Sequence, residues 1–176
     1  MKTALIVLLI LVGVVAVAAL VGFALPRNHR ATSRVTLQRP PEEVWPTVRN
    51  LGALLGTWKD LKSARRLPDQ NGKEVWEQNA GGFPMRLVVE ESDPPRRLVT
   101  RIDAPPDAAF GGQWIYELEP AGTGTRITVT EDGYVSNPLF RSLMYLMGPH
   151  RTVDGYLQAL SRSFGESARV EHVKQE

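Results

Sequence analysis

Glu131 and His150 are the two side chains whose types and positions could hold an acid and a base at one site. Glu131 stands in phase with Ile127 and Val129 on an alternating stretch, which predicts that it points to their side of a strand. A carboxyl group kept neutral by apolar surroundings can donate a hydrogen bond to a ligand carbonyl. The competing reading is a bulge at Asp132-Gly133 that flips the phase and exposes it. His150 falls on an apolar stripe and is of the type that titrates near neutral pH. Its competing reading is a half-buried histidine satisfied by a backbone carbonyl. Trp76, Gln78, Trp114 and Tyr116 add candidates for a pocket wall, because each of the aromatics has an apolar body and one polar handle. Leu143, Met147 and Leu157 near the end of the chain would supply apolar contact, with core packing as the alternative.

Other chemistries lack their parts. The chain has no cysteine, so it has no thiolate nucleophile, disulfide or cysteine-based metal site. His29 reads as juxtamembrane and His172 as part of a polar tail, which leaves His150 alone in the domain. One domain histidine cannot complete a site of two histidines and a carboxylate on iron, so no metal or cofactor is expected. There is no G-x-S-x-G, phosphate loop or zinc-ligand spacing. With 21 basic and 19 acidic residues, and no basic helix or arginine-rich run, nothing points to nucleic acid. Glu42 and Glu43 follow Pro41 in a first helical turn, where they favour the helix dipole rather than catalysis.

Several elements must position these groups. Ser33–Gln38 reads as a strand, followed by a short helix from Pro41 and a second one carrying Leu51, Leu54, Leu55 and Trp58. From Leu61 to Val135 the period becomes two, with turn signals such as Asp69–Gly72, Gly81-Gly82, Pro105-Pro106-Asp107 and Gly122-Thr123-Gly124. That is the pattern of an antiparallel meander. Leu139, Leu143, Leu146, His150, Val153, Leu157, Leu160 and Phe164 then form one stripe of a long helix, capped by Asn137 and kinked at Gly148-Pro149.

The amino-terminal stretch Ala4–Leu25 is uncharged and apolar. As a helix it is about 33 Å long, against a hydrocarbon core of roughly 30 Å. A cleaved signal peptide is the rival reading, given Lys2 and the Ala16-Val17-Ala18 site, but signal-peptide apolar regions run only about 7–15 residues. Ala18 and Gly22 have the spacing of a helix-pairing face. Arg27, Arg30, Arg34 and Arg39 follow the segment, so the positive-inside bias favours a single-pass anchor with a cytoplasmic domain.

Pro41-x-Glu43-Val44-Trp45 after the first strand, Trp58, the run Glu131–Phe140 and Thr152–Leu157 resemble the START/Bet v 1-like helix-grip superfamily, in its polyketide cyclase/dehydrase and lipid transport branch. The resemblance spans about residues 33–165. It implies an α+β fold in which a curved antiparallel sheet of about seven strands (β-α-α-β6-α) wraps a long C-terminal helix and leaves a cavity. It also implies that the two short helices plug one end, with Trp45 and Trp58 as packing there. The expected organisation is an anchor and basic linker over 1–30, a ligand-binding domain over 31–166 and a polar, frayed tail over 167–176. The leading expectation is a membrane-anchored protein that binds a hydrophobic small molecule, lipid or isoprenoid-like, through Trp76, Gln78, Trp114, Tyr116, Glu131, Leu143, Met147, His150 and Leu157. The alternatives are a cyclase- or dehydrase-type enzyme using Glu131 and His150, and a non-catalytic partner-binding domain. The oligomeric state is left open.

Overall fold

The uncharged amino-terminal run forms one helix, α1 (Lys2–Ala24), whose mean hydropathy and length suffice to cross a membrane. The computed structural model describes residues 2–105 and 107–174; Pro106 of the predicted 105–107 turn and the last two residues of the predicted tail lie outside them. After α1 come β1 (Asn28–Leu37), α2 (Pro41–Arg49), six strands, and the helices α3 (Pro138–Met147) and α4 (Arg151–Ser163). The six strands are β2 (Leu61–Gln70), β3 (Lys73–Ala80), β4 (Phe83–Asp93), β5 (Arg97–Ile102), β6 (Phe110–Ala121) and β7 (Gly124–Val135). A two-residue strand, β8 (Glu171–His172), is the last regular element among the described residues. The sheet is antiparallel throughout, in the order β2-β3-β4-β5-β6-β7-β1-β8.

The period-two reading of the central strands holds. Leu98, Leu118, Ile127 and Val129 are fully or almost fully buried, and α4 covers them with Val153, Leu157 and Leu160. Burial of such side chains contributes about 1.5–3 kcal/mol each. Pro41 opens α2 and Glu42 and Glu43 sit exposed in its first turn, while Val44, Trp45 and Val48 face the core.

Four sequence-based expectations need correction. β1 begins at Asn28, not Ser33, because it pairs with β7 from Asn28↔Tyr134 onward, so His29 belongs to the sheet. The second short helix is a series of turns closed by i→i+3 bonds, Ala53 N to Asn50 O, Leu55 N to Gly52 O and Thr57 N to Leu54 O. Gly56, at φ +85°, prevents a regular helix there. The long C-terminal helix is two helices, since Gly148 takes φ +90° before Pro149. Once the halves are separated, α3 turns its Leu139, Leu143 and Leu146 outward, at 41%, 48% and 83% exposure. Finally, the tail is not frayed through its described residues: Ser33 pairs with His172, Arg34 pairs with Glu171, and Ala168 and Val170 pack on the core.

α1 is fastened to the rest of the structure through α3. Gly22 lies so close to Pro138 that an added Cβ would sit 1.9 Å from its carbonyl oxygen, and the Ser142 hydroxyl donates to the Ala18 carbonyl. The helix-pairing face at Ala18 and Gly22 thus has its partner within the same chain. Buried Arg141 donates to Gly22 O and Leu25 O at the end of α1 and to Val135 O and Ser136 O after β7. A cation at a helix C-terminus satisfies orphan carbonyls and complements the dipole, and α1 has no basic residue of its own there.

Candidate functional site

Between the concave face of the sheet and the two C-terminal helices lies a cavity of about 540 Å³. That is within the usual range for small-molecule sites. Leu51, Leu54, Met85, Leu87 and Ile102 give it apolar walls. Trp58, Trp114, Tyr116 and Tyr156 form one continuous aromatic surface, with ring centroids 5.4–6.0 Å apart. Edge-to-face and tilted pairs of this kind fix each other's orientation. At the other end Phe83 meets Phe110 and Phe140 at 5.9 and 5.2 Å. The exposed lining residues, among them Gly81, Gly82, Phe83, Met147 and Arg151, place the mouth between the β3–β4 turn and the α3–α4 break.

Two glycines let rings lie against the strands. An added Cβ at Gly111 would meet the Tyr134 ring at 2.8 Å, and one at Gly133 would meet the His29 ring at 3.2 Å. His29 Nε2 is consequently 3.3 Å from Glu131 Oε1, and the other carboxylate oxygen of Glu131 is buried without a hydrogen-bond partner among the described residues. Burial pushes the Tyr116 hydroxyl pKa up, with a Thr100 hydrogen bond opposing it. Burial likewise raises that of Tyr156, and the neighbouring Tyr116 adds to the effect. Both phenols therefore stay neutral and serve as hydrogen-bonding groups in an apolar wall.

Of the residues singled out from sequence, Gln78, Trp114, Tyr116, Glu131 and Met147 line this cavity. The Gln78 amide already donates to Leu51 O at 2.6 Å. Trp76, Leu143, His150 and Leu157 do not line it. Trp76 lies by Gly52 and donates to Glu74 Oε1. Leu143 is on the exposed side of α3, and Leu157 is fully buried core. His150 points to β1 and β8: its Nδ1 is 3.1 Å from Ser33 Oγ and its ring stacks on His172 at 4.0 Å. Glu131 and His150 are therefore not a catalytic pair, and the histidine beside Glu131 is His29.

Sequence reasoning missed His29, Met85, Tyr134, Phe140 and Tyr156. A β1 start at Asn28 would have put His29 on the same face as Ala31 and Val35. Tyr156 adjoins the predicted stripe at Leu157, so a wider stripe would have included it.

A second cluster stands away from the cavity. His150, Asp154 and His172 bring one nitrogen or oxygen each to within 4.8 Å of one another. Burial pushes the His150 pKa down, the neighbouring His172 adds to this, and Asp154 opposes it. The single domain histidine expected from sequence is thus corrected: three histidines belong to the folded domain.

The family model for polyketide cyclase/dehydrase and lipid transport proteins matches residues 28–163. No curated protein matches the chain. Among solved structures, a START superfamily protein from Mycobacterium smegmatis is 16% identical, with a TM-score of 0.61 over 77% of this chain and 96% of that one. The Zhui aromatase/cyclase from Streptomyces sp. R1128 is 14% identical, with a TM-score of 0.62 over 76% and 91%. A conserved protein from Geobacillus kaustophilus is 15% identical, with a TM-score of 0.62 over 82% and 100%. At these identities the likeness is one of fold, and it agrees with the sheet and the helices. With the family model matched from the first strand to the last long helix, this chain belongs to the polyketide cyclase/dehydrase and lipid transport family.

Proposed function

We propose that this protein is a membrane-anchored carrier that holds a hydrophobic small molecule, of the lipid or isoprenoid class, in the cavity between sheet and helices. The observation that carries this reading is that α3 belongs to both the cavity and the anchor. Phe140, Met144 and Met147 of α3 line the cavity, while Pro138 and Ser142 of the same helix pack on α1. The only charged residue of α3 is Arg141, which is buried, and its exposed residues include Leu139, Leu143, Tyr145 and Leu146. Such a surface favours the headgroup boundary of a bilayer, so the mouth would stand where apolar molecules enter from the membrane. A tethered pocket also meets membrane-dissolved ligands at high effective concentration. The basic residues after α1 favour the cytoplasmic side.

The test is energy transfer from tryptophan to a dansyl-labelled fatty acid, with the full chain in nanodiscs. Transfer that saturates at one equivalent, and is lost when Ala80→Phe fills the lining, supports the carrier. Transfer that is unsaturable, or identical in A80F, contradicts it.

One observation favours a second reading, a dehydrase- or cyclase-type enzyme. His29 and Glu131 pair on the cavity wall, and one Glu131 oxygen is left without a protein partner among the described residues. A general acid and base need this proximity. If the site is a dehydrase, bound material loses the mass of one water in the wild type and not in Glu131→Gln.

A further inference from the structure

The polar cluster on the far side of α4 is not explained by ligand holding. His150 is the N-cap of α4 and Asp154 lies one turn later, so the i, i+4 spacing brings both to one face. His172 arrives from β8, which is held to the edge of the sheet by its pairing with β1. Its Nε2 lies 2.8 Å from Asp154 Oδ2. Below them Ser33, fully buried on β1, donates from Oγ to Asp154 Oδ1 at 2.7 Å and holds that carboxylate in place. The two imidazoles stack at 4.0 Å with planes 13° apart.

We propose that His150, Asp154 and His172 form a binding site for a divalent transition ion of the zinc class, which clamps β8 and the start of α4 together. Two imidazoles and one carboxylate match the donor preferences of zinc, cobalt and nickel better than those of magnesium or calcium. Four-coordinate zinc holds such ligands at about 2.0–2.2 Å, which places neighbouring donors about 3.3–3.5 Å apart. The His172–Asp154 pair, at 2.8 Å, is closer than that range, and all three donors lie within 4.8 Å of one another with the two rings stacked face to face. Capture requires the stacked rings to fan apart. β8 is only two residues long and paired on one side, so His172 can make that movement. The side chains of Asp154 and His172 are 24% and 56% exposed, which gives the ion a path in and leaves room for water as a remaining ligand. The hydrogen bond from Ser33 would orient the ligating carboxylate, as supporting hydrogen bonds do at metal sites.

The site is structural rather than catalytic, because none of its three ligands lines the cavity. It is nevertheless joined to the mouth: Gly148 and Arg151, on either side of the Pro149-His150 pair, line the cavity. An ion bound here would restrain the break between α3 and α4.

The test is titration of Co(II) and Zn(II) into the full chain, without a histidine tag, in nanodiscs. Visible Co(II) absorption reports coordination and calorimetry reports stoichiometry. The chain has three histidines and no cysteine, so His29→Gln is an internal control. The expected result is one ion per chain, with affinity reduced at least about tenfold in His172→Gln and in Asp154→Asn and unchanged in H29Q. Zinc should also raise the thermal midpoint of the wild type and not that of H172Q. His172 is half exposed, so its replacement leaves the fold intact, and far-UV circular dichroism checks this for each variant. Absence of saturable binding, or equal affinity in wild type, H172Q and D154N, would overturn the proposal. So would loss of binding in H29Q alone.

Discussion

Glu74 links α2 to the sheet through its charge. The Arg49 hydrogen bond, opposed by burial and aided by Trp76, holds its pKa at about 2, against an ordinary value of 4.5. A carboxylate whose folded pKa is depressed stabilises the fold above its unfolded value, and that contribution is lost as pH falls through the folded one. The window is therefore about pH 4.5 down to 2. Solvent screening keeps the contribution near 1 kcal/mol, a fall in thermal midpoint of about 3 °C. Melting curves should show that fall in the wild type and a flatter response in Glu74→Gln. Leu157 makes a second case. It is fully buried and outside the cavity. Leu157→Ala should cost about 3 kcal/mol in chemical denaturation and leave ligand retention unchanged. From sequence alone Leu157 and Met147 could not be separated, because both sit on apolar helical spacing. Only the break at Gly148 shows that one faces the core and the other the mouth. The same holds for His150: a stripe continuous over 139–164 puts it with the cavity, whereas the break at Gly148 leaves the α3 leucines exposed and turns His150 toward β1 and β8.

At the scale of elements, α3 is the junction between α1 and the sheet. Gly22 admits Pro138 at a distance no side chain would allow, and Arg141 ties together carbonyls from α1 and the end of β7. Gly22→Leu should therefore separate the two helices. Cysteines placed at Ala18 and Ser142 of this cysteine-free chain provide the assay: a short bifunctional reagent should join them in the wild-type background and fail to do so with G22L. Arg141→Ala should destabilise the domain by about 3 kcal/mol, because it leaves several carbonyls without their donor. The meander from β2 to β7 was legible because the later strands, β6 and β7 above all, alternate and every junction carries glycine, proline or a small polar turn residue, while β4, with Leu87, Val88 and Val89 buried in a row, does not alternate. β8 was not legible, since two residues in a polar stretch carry no period. Its position follows from pairing with the edge of β1, which is a tertiary fact.

Across the whole molecule, the order strand, helix, meander and C-terminal helix was legible, and the matched family agrees with it. The cavity was only implied, because its volume depends on how far α3 and α4 stand from the sheet, and no local pattern encodes that distance. The structure supplies about 540 Å³ of apolar-walled space beside a helix long enough to span a bilayer. The central claim is that this space holds a molecule taken from the membrane. Native mass spectrometry of the full chain, released from nanodiscs prepared with the host's own lipids, tests it most directly. The account predicts a discrete added mass at one per chain, absent from Ala80→Phe and identified after denaturation as a lipid or isoprenoid. A bare chain in both proteins, under conditions that preserve other noncovalent complexes, would contradict it.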